Sequence, residues 1–401
     1  MKATFSAVLS LPLAFDANSY DYIVVGGRVS GLVVAGRLTE DRRRTVLIIE
    51  RGYFDNKPEA IVPWYGNLLD TSVLINPESA PNPKLNTSTF SVAVPAVVGG
   101  GSVVNGMGYI RGGKVDYDAW EELGNPGWGW QGLLPYFRKS TTFTPPFFEA
   151  IRQWNITFDP SVYGHDPLHT HTPNFQYPDI ASVWDALRHQ PGLAVPFTAR
   201  GVRVVSRLDN TTRSFYARKE VVLAAGAIQT PQLLQVGGIR PRDVLRAAGI
   251  PVKRDTPAVG ANLQDHATTM TSFDLANPSL PNPSSIFTNT MHNATVWAED
   301  LANKTGPARA FWASPQLAYL GPTEAAPGPL LLWPSLGHPL GTCAIMPENL
   351  GGCVGPDLKV YDGLSVVDAS IMPLTVSGAL QAAVYAVAEK AADLVKAKSG
   401  H

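Results

Sequence analysis

The chain has 401 residues, of which 45% are hydrophobic and 16% are charged, and its formal net charge is −1. This hydrophobic content excludes an intrinsically disordered protein. The balanced charge argues against binding to the phosphate backbone of a nucleic acid. The two cysteines, Cys343 and Cys353, are too few for a disulfide scaffold or a cysteine-based metal centre. Either one short bridge or two buried thiols fits this pair.

The N-terminal segment is typical of a secretory leader. Lys2 precedes an uncharged, apolar run over residues 3–15, so we expect residues 1–17 to form a signal peptide. The alternative is a disordered leader before the first strand. Five glycosylation triplets also favour a secreted protein or one of the secretory pathway. Their acceptors are Asn86, Asn155, Asn210, Asn293 and Asn303. The uncharged stretch 85–110 contains Pro95 and several glycines, so no membrane span is expected there.

The first ordered unit is predicted to be a strand, a glycine turn, a helix and a second strand. Residues 22–25 and 45–49 are the strands, and the turn runs from Gly26 to Gly31. Glu50 ends the second strand, close to the roughly 20-residue separation of an acid that binds a nucleotide ribose. Arg28 departs from the dinucleotide fingerprint, whose middle glycine lets the backbone approach a pyrophosphate. We favour nucleotide binding over a simple packing turn.

Later elements are also readable from periodicity and turn residues. Residues 202–208 and 214–219 are predicted to form a hairpin, and residues 220–225 a separate buried strand. The Thr230-Pro231 pair is typical of the start of a helix. Apolar residues at helical spacing predict a final helix over residues 379–396.

Motifs along the whole chain resemble those of the glucose–methanol–choline (GMC) oxidoreductases. The first glycine turn with Glu50 resembles the FAD-binding start of that family. Residues 124–128 read Gly-Asn-Pro-Gly-Trp, and residues 338–342 read His-Pro-Leu-Gly-Thr. Further matches, in the order of the family, are residues 99–105, 117–130, 224–234, 259–266 and 367–370.

The resemblance implies an α/β fold with two interleaved parts. A Rossmann-like FAD-binding domain would alternate with a reduced substrate domain of α+β type, built on an antiparallel sheet. The FAD-binding domain is expected over residues 20–140, 200–266 and 335–398, and the substrate domain over residues 141–199 and 267–334. Two stretches, near residues 190–200 and 320–331, are shorter than in typical members.

The resemblance also implies FAD as the cofactor. The turn and helix start would face its pyrophosphate, and Glu50 its ribose. The four residues between Gly99 and Asn105 would line the isoalloxazine and phosphate side. Gly226 and Ala227 would let a strand end pass close to the cofactor. Asp368 and Ala369 would lie by the ribityl and pyrophosphate region. The complete set is Gly26, Gly27, Gly31, Glu50, Gly99, Gly100, Ser102, Asn105, Gly226, Ala227, Asp368 and Ala369.

For chemistry, the resemblance points to His338, placed to accept the hydroxyl proton of an alcohol. The partners implied are a small-molecule alcohol and oxygen or another electron acceptor. Fungal members similar to aryl-alcohol oxidase, some in natural-product pathways, are the nearest analogy. Ala379 stands where the family has a second histidine or an asparagine. The three closely spaced residues His165, His169 and His171 have no nearby cysteine or cluster of acidic residues, so no metal site is expected.

Two alternatives stay open at this point. Ala379, Arg28 and the short stretches fit a redox-impaired relative, which would act as an isomerase or cyclase or as a non-catalytic binding protein. The same features fit either a naturally reduced member or a wrongly spliced gene product.

Overall fold

The structure is a computed structural model. It describes residues 19–57, 60, 71–81, 87–154, 156, 158–165, 167–171, 199–205, 211–266, 268–270, 331–333, 337–361 and 363–398. The predicted signal peptide and all five acceptor asparagines lie outside these residues, as do most of the two shortened stretches.

The described residues form fourteen strands and seven α-helices. The strands are β1 (Ser19–Val25), β2 (Val46–Ile49), β3 (Leu74–Ile75), β4 (Val94–Pro95), β5 (Thr141–Thr144), β6 (Leu168–His171), β7 (Ala199–Val205), β8 (Thr212–Leu223), β9 (Ile239–Arg240), β10 (Arg254–Asp255), β11 (Thr268–Met270), β12 (Leu331–Trp333), β13 (Lys359–Tyr361) and β14 (Leu364–Val366). The helices are α1 (Val29–Leu38), α2 (Lys114–Glu122), α3 (Trp130–Ser140), α4 (Phe148–Trp154), α5 (Gly226–Val236), α6 (Arg242–Ala247) and α7 (Leu380–Lys398).

A six-stranded sheet organises the chain. Its order is β13-β14-β8-β1-β2, and β7 also pairs with β8. Strand β1 is parallel to both β2 and β8, and β8 is parallel to β14. Parallel strands joined through helices are the mark of an α/β fold, so the predicted class is confirmed. All three segments predicted to form the FAD-binding domain contribute strands to this sheet.

The region predicted to form the substrate domain contributes smaller sheets. Strands β5 and β6 pair in parallel, whereas β11 and β12 pair antiparallel. Residues 172–198 and 271–330 lie outside the described residues.

Strand β8 differs from the sequence prediction, which divided it in two. It is one strand because β1 pairs along it, from Ser19 opposite Tyr216 to Val25 opposite Leu223. An irregularity in this pairing occurs between Tyr20 and Tyr22. The predicted hairpin is present, since β7 pairs antiparallel with the first half of β8.

Helix α5 begins earlier than predicted, at Gly226 instead of the Thr230-Pro231 pair. The side chain of Asp368 supplies the cap, because its Oδ2 accepts from the Gly226 backbone N–H at 2.9 Å. Thr230 Oγ1 donates to the same oxygen at 2.6 Å. A distant residue thus replaces the local cap that the sequence predicted.

Pro231 therefore lies inside α5, where it has no N–H to donate to the carbonyl four residues earlier. That carbonyl belongs to Ala227, and it accepts instead from Thr342 Oγ1 at 2.6 Å. Thr342 closes the His-Pro-Leu-Gly-Thr motif, so this hydrogen bond ties the motif to α5.

The C-terminal helix α7 packs against α1 and α3. Glu389 on α7 is buried and pairs with Arg37 of α1 at 2.8 Å and with Lys139 of α3 at 3.3 Å. The aromatic core beside these helices contains Tyr117 and Trp120, both fully buried. In the described part of the chain, no helix combines the length and apolarity that a membrane span needs.

Replacing Thr342 with valine is expected to lower the free energy of unfolding by about 1–3 kcal/mol, because it leaves the buried Ala227 carbonyl without a donor. Urea denaturation followed by tryptophan fluorescence measures the change. The control is Thr342→Ser, which keeps the hydroxyl. Equal stability of the valine and serine variants would contradict this role for the hydroxyl.

Candidate active site

The first glycine turn brings three elements into close contact. Gly26 has φ +111°, and a Cβ there would lie 2.3 Å from the Ala224 carbonyl oxygen at the end of β8. A Cβ on Gly31 would lie 1.9 Å from the Gly26 carbonyl oxygen. Only glycine lets β1, β8 and the first turn of α1 approach this closely. The N-terminus of α1 is therefore presented at the sheet edge, where it favours an anion.

Glu50 lies beside this turn at the end of β2. Its Oε2 accepts from the Gly27 N–H at 2.7 Å, and its Oε1 accepts from the Gly52 N–H at 2.7 Å. Each carboxylate oxygen retains capacity for another donor. The position of Glu50 therefore fits the ribose-binding role that the family resemblance gives it.

The second glycine segment lies directly against the first. The N–H of Gly99 donates to the Gly27 carbonyl at 2.8 Å, and Gly99 itself has φ +97°. A short 3₁₀ turn, Gly100–Ser102, follows, and Ser102 Oγ donates back to the Gly99 carbonyl at 3.0 Å. Asn105 Oδ1 accepts from the backbone N–H of Met107 and so shapes the next turn. The sequence prediction placed these two segments at one cofactor, and the structure brings them together.

The third segment starts α5. Gly226 has φ +83°, and Ala227 is buried behind it. Asp368, also buried, uses Oδ2 to hold this helix start, while its Oδ1 accepts from Ser370 N at 2.9 Å and Ser370 Oγ at 2.6 Å. Four donors fill the acceptor sites of this carboxylate. Asp368 thus connects the start of α5 to the turn at Ser370. The carbonyl of the next residue, Ala369, accepts from Gly341 N at 3.2 Å.

Arg28 lies among all three segments. Its Nη2 donates to the Pro95 carbonyl at 2.5 Å and to Gln229 Oε1 at 2.8 Å. A Cβ on Gly226 would lie 2.9 Å from its Nη1. Burial lowers the pKa of the guanidinium, and the nearby Glu50 carboxylate acts in the opposite direction.

The residues of these segments fit FAD. Glycine turns expose backbone at the N-termini of α1 and α5, and a cation lies between them. This donor set suits a pyrophosphate. Glu50 supplies an acceptor for a ribose hydroxyl on the same side. The cradle combines residues that the sequence separates by more than 300 positions.

His338 lies on the loop that leads to Leu340, which bridges to Gln264. Its backbone N–H donates to Asp265 Oδ1 at 3.1 Å. Its Nδ1 is 3.1 Å from Nδ1 of His266, with the two rings nearly perpendicular. Burial first, and then the charge of His266, lowers the pKa of His338 to about 4.

His266 is the site residue that the sequence prediction missed. Its Nε2 is 2.9 Å from the Val376 carbonyl and 3.0 Å from Thr375 Oγ1. The available signal was its place at the end of the Asn-Leu-Gln-Asp-His motif. Only the fold shows that this motif meets His338.

Two observations place the segment after the second glycine turn beside residues 379–385. Ser102 is hydrogen-bonded to the hydroxyl of Tyr385 on α7. A Cβ on Gly108 would lie 3.8 Å from the Cβ of Ala379. The segment that follows the second glycine turn therefore runs along residues 376–385, whose first residue binds His266. Small residues face each other where the family has a polar side chain.

The two cysteines and the three closely spaced histidines do not belong to the cofactor cradle. Cys343 and Cys353 are buried free thiols, and a hydrogen bond between them adds to the effect of burial in raising the pKa of Cys343. His169 and His171 lie on β6, and His165 is exposed before it. Over the described ranges, no group of three histidine, cysteine or acidic side chains is arranged to hold a metal ion.

Comparison with known proteins gives consistent matches. The N-terminal GMC oxidoreductase model matches residues 20–182 and 197–268, and the C-terminal model matches residues 284–388. A protein of Emericella nidulans named Dehydrogenase xptC is 30% identical over 96% of this chain and 94% of its own length. That alignment has 585 positions against 401 residues here, so this chain lacks stretches that the relative has.

Two solved structures and a further relative by sequence are also similar to this chain. A FAD-dependent oxidoreductase from Chaetomium thermophilum is 28% identical with a TM-score of 0.83, covering 94% of this chain and 99% of that one. A fungal aryl-alcohol oxidase is 25% identical with a TM-score of 0.76, covering 95% and 99%. An oxygen-dependent choline dehydrogenase of Pseudomonas fluorescens is 33% identical over 72% of this chain and 59% of its own length. The chain therefore belongs to the GMC oxidoreductase family, and its cofactor is FAD.

Proposed function

We propose that the protein oxidises a primary or secondary alcohol, with His338 as the general base. The observation that carries the proposal is the hydrogen-bonded pair of His338 and His266 beside the cofactor cradle. A base must be uncharged to accept a proton, and burial keeps the pKa of His338 low, at about 4.

The hydrogen bonds of His266 determine which nitrogen of His338 is free. The Val376 carbonyl can only accept, so the Nε2 of His266 carries the hydrogen of that contact. The Nδ1 of neutral His266 is then an acceptor, and it receives the Nδ1–H of His338. This leaves Nε2 of His338 with its lone pair, as the atom that takes the hydroxyl proton.

The bound FAD supplies the acceptor for the electron pair and hydrogen that leave the alcohol carbon. The protein's own contribution is to hold the base. His338 is fixed through its backbone by Asp265 and through its ring by His266. Thr342 anchors the same loop on α5.

The substrate is proposed to be an alcohol with a bulky group, such as an aryl alcohol. Ala379 carries only a methyl group where the family has a histidine or an asparagine, which leaves room for a larger substrate group. The similarity to an aryl-alcohol oxidase supports this class. We extend the proposal to a fungal natural-product pathway and to oxygen or another electron acceptor, both by analogy with the family. The apolar N-terminal segment and the glycosylation triplets support a secreted or secretory location.

A second candidate is a redox-impaired member that uses His338 for proton transfer alone, as an isomerase or cyclase, or that only binds a ligand. Two observations favour it. Ala379 cannot donate or accept a proton, and Arg28 occupies space that a glycine leaves open in the fingerprint.

The visible absorption spectrum of the purified protein, after expression or refolding with FAD, separates the two candidates. We expect oxidised-flavin bands that bleach anaerobically on addition of members of a panel of aryl and aliphatic alcohols. A folded protein that shows flavin bands but bleaches with no alcohol would favour the second candidate. A folded protein without flavin bands at excess FAD would overturn the proposed oxidation.

Replacing His338 with glutamine is expected to lower kcat/KM for the best alcohol by about 10²–10⁴-fold, because the general base is lost. The flavin spectrum of this variant should match that of the parent. His165→Gln is the matched control, because His165 is exposed and lies outside the cradle. Unchanged turnover in His338→Gln would remove the role given to this side chain.

The pH profile tests the pairing with His266. Because the pKa of His338 is lowered to about 4 from the usual 6.5, the base stays neutral and kcat/KM should hold until the pH approaches 4. His266→Gln keeps an acceptor for the His338 Nδ1–H, so it should lower kcat/KM only slightly. His266→Ala loses that acceptor and should reduce kcat/KM further. An acid limb near 6.5 in the parent protein would contradict this assignment.

A further inference from the structure

We propose that Arg28 is a cofactor-binding residue, whose guanidinium pairs with the pyrophosphate of FAD. The inference rests on FAD as the cofactor and not on the proposed alcohol oxidation. It assigns a function to the residue that departs from the dinucleotide fingerprint.

The first argument is the position of Arg28. It is the N-cap residue of α1, and its side chain extends toward Gly226, the first residue of α5. Its backbone forms an isolated bridge with Gly99 of the second glycine turn. The guanidinium therefore lies between two helix N-termini, which together favour negative charge.

The second argument is charge. Arg28 is partly buried and has no ion pair with any of the residues that the structure describes; its two hydrogen bonds go to uncharged oxygens. The carboxylates of Glu50 and Asp368 attract the guanidinium from nearby, but neither is hydrogen-bonded to it. Glu50 accepts from Gly27 and Gly52, and Asp368 from four other donors. A cation near two positive helix ends is costly without an anion. A pyrophosphate supplies that anion.

The third argument is the unused donors of the guanidinium. Both hydrogen bonds come from Nη2, so the N–H groups of Nε and Nη1 have no acceptor within the described ranges. Nη1 is the atom nearest to where a Gly226 Cβ would stand. Two adjacent nitrogens of a planar fork suit two phosphate oxygens.

The fourth argument is the space provided for the side chain. A Cβ on Gly100 would lie 2.8 Å from both Cβ and Cγ of Arg28, and one on Gly226 would lie 2.9 Å from its Nη1. These two glycines therefore accommodate the arginine. In the usual fingerprint, the middle glycine lets the pyrophosphate approach the backbone closely. Here the Arg28 side chain would contact the pyrophosphate instead.

The test measures FAD affinity by flavin fluorescence with the deflavinated full-length protein. Loss of a hydrogen-bonded charge is worth about 1.5–3 kcal/mol, so Arg28→Gln should weaken FAD binding by about 10–150-fold. Arg28→Lys should be intermediate, and Arg28→Gly should also bind more weakly than the parent. The affinity of the parent should fall more steeply with salt than that of Arg28→Gln.

Arg43→Gln is the matched control, because Arg43 is an exposed arginine whose side chain is 82% accessible and pairs with Asp41. It removes the same charge from the chain and should leave FAD affinity unchanged. Competition by ADP and by adenosine separates a pyrophosphate contact from a change of fold. Arg28→Gln should weaken ADP binding and leave adenosine binding unchanged.

Equal or tighter FAD binding by Arg28→Gly would overturn the proposal and identify the arginine as a clamp that competes with the cofactor. Equal weakening of ADP and adenosine would overturn it in favour of a structural role. Neither measurement depends on turnover. A failure of alcohol oxidation is therefore distinguishable from a failure of this inference.

Discussion

The buried carboxylate of Asp368 is the interaction on which the cofactor site depends. It caps α5 through the Gly226 N–H, holds Thr230 inside that helix, and fixes the following turn through Ser370. These contacts join the C-terminal part of the chain to the end of β8. Since a carboxylate without donors is costly to bury, the four hydrogen bonds constrain both segments to one geometry. The N-terminus of α5 is thereby presented beside that of α1.

The loop that carries His338 depends on the same helix. Pro231 interrupts the hydrogen bonds of α5, and the carbonyl left free on Ala227 is taken by Thr342. A break in one element thus becomes the attachment point of another. His266 then fixes the ring of His338, so the proposed base is oriented through both its backbone and its side chain.

The two departures from the family pattern, Ala379 and Arg28, lie in different parts of the site. Ala379 lies near Gly108, and its alanine replaces the histidine or asparagine of the family. Arg28 lies at the other end of the cradle, where two glycines make room for it. We propose that the first change affects alcohol binding and the second affects cofactor binding. This chain lacks stretches that a relative has, and its described residues still form the six-stranded sheet.

The sequence by itself determined the family, the α/β class and the strand–turn–helix unit that ends at Glu50, because these follow from local spacing and from glycines that no other residue can replace. It did not give the continuity of β8, the start of α5 or the partner of His338. Pairing with β1 makes β8 continuous, and the cap from Asp368 sets the start of α5. His266 lies 72 residues before His338, so only tertiary packing brings the two rings together. Local sequence shows which residues are available, whereas burial and long-range hydrogen bonds decide which of them meet.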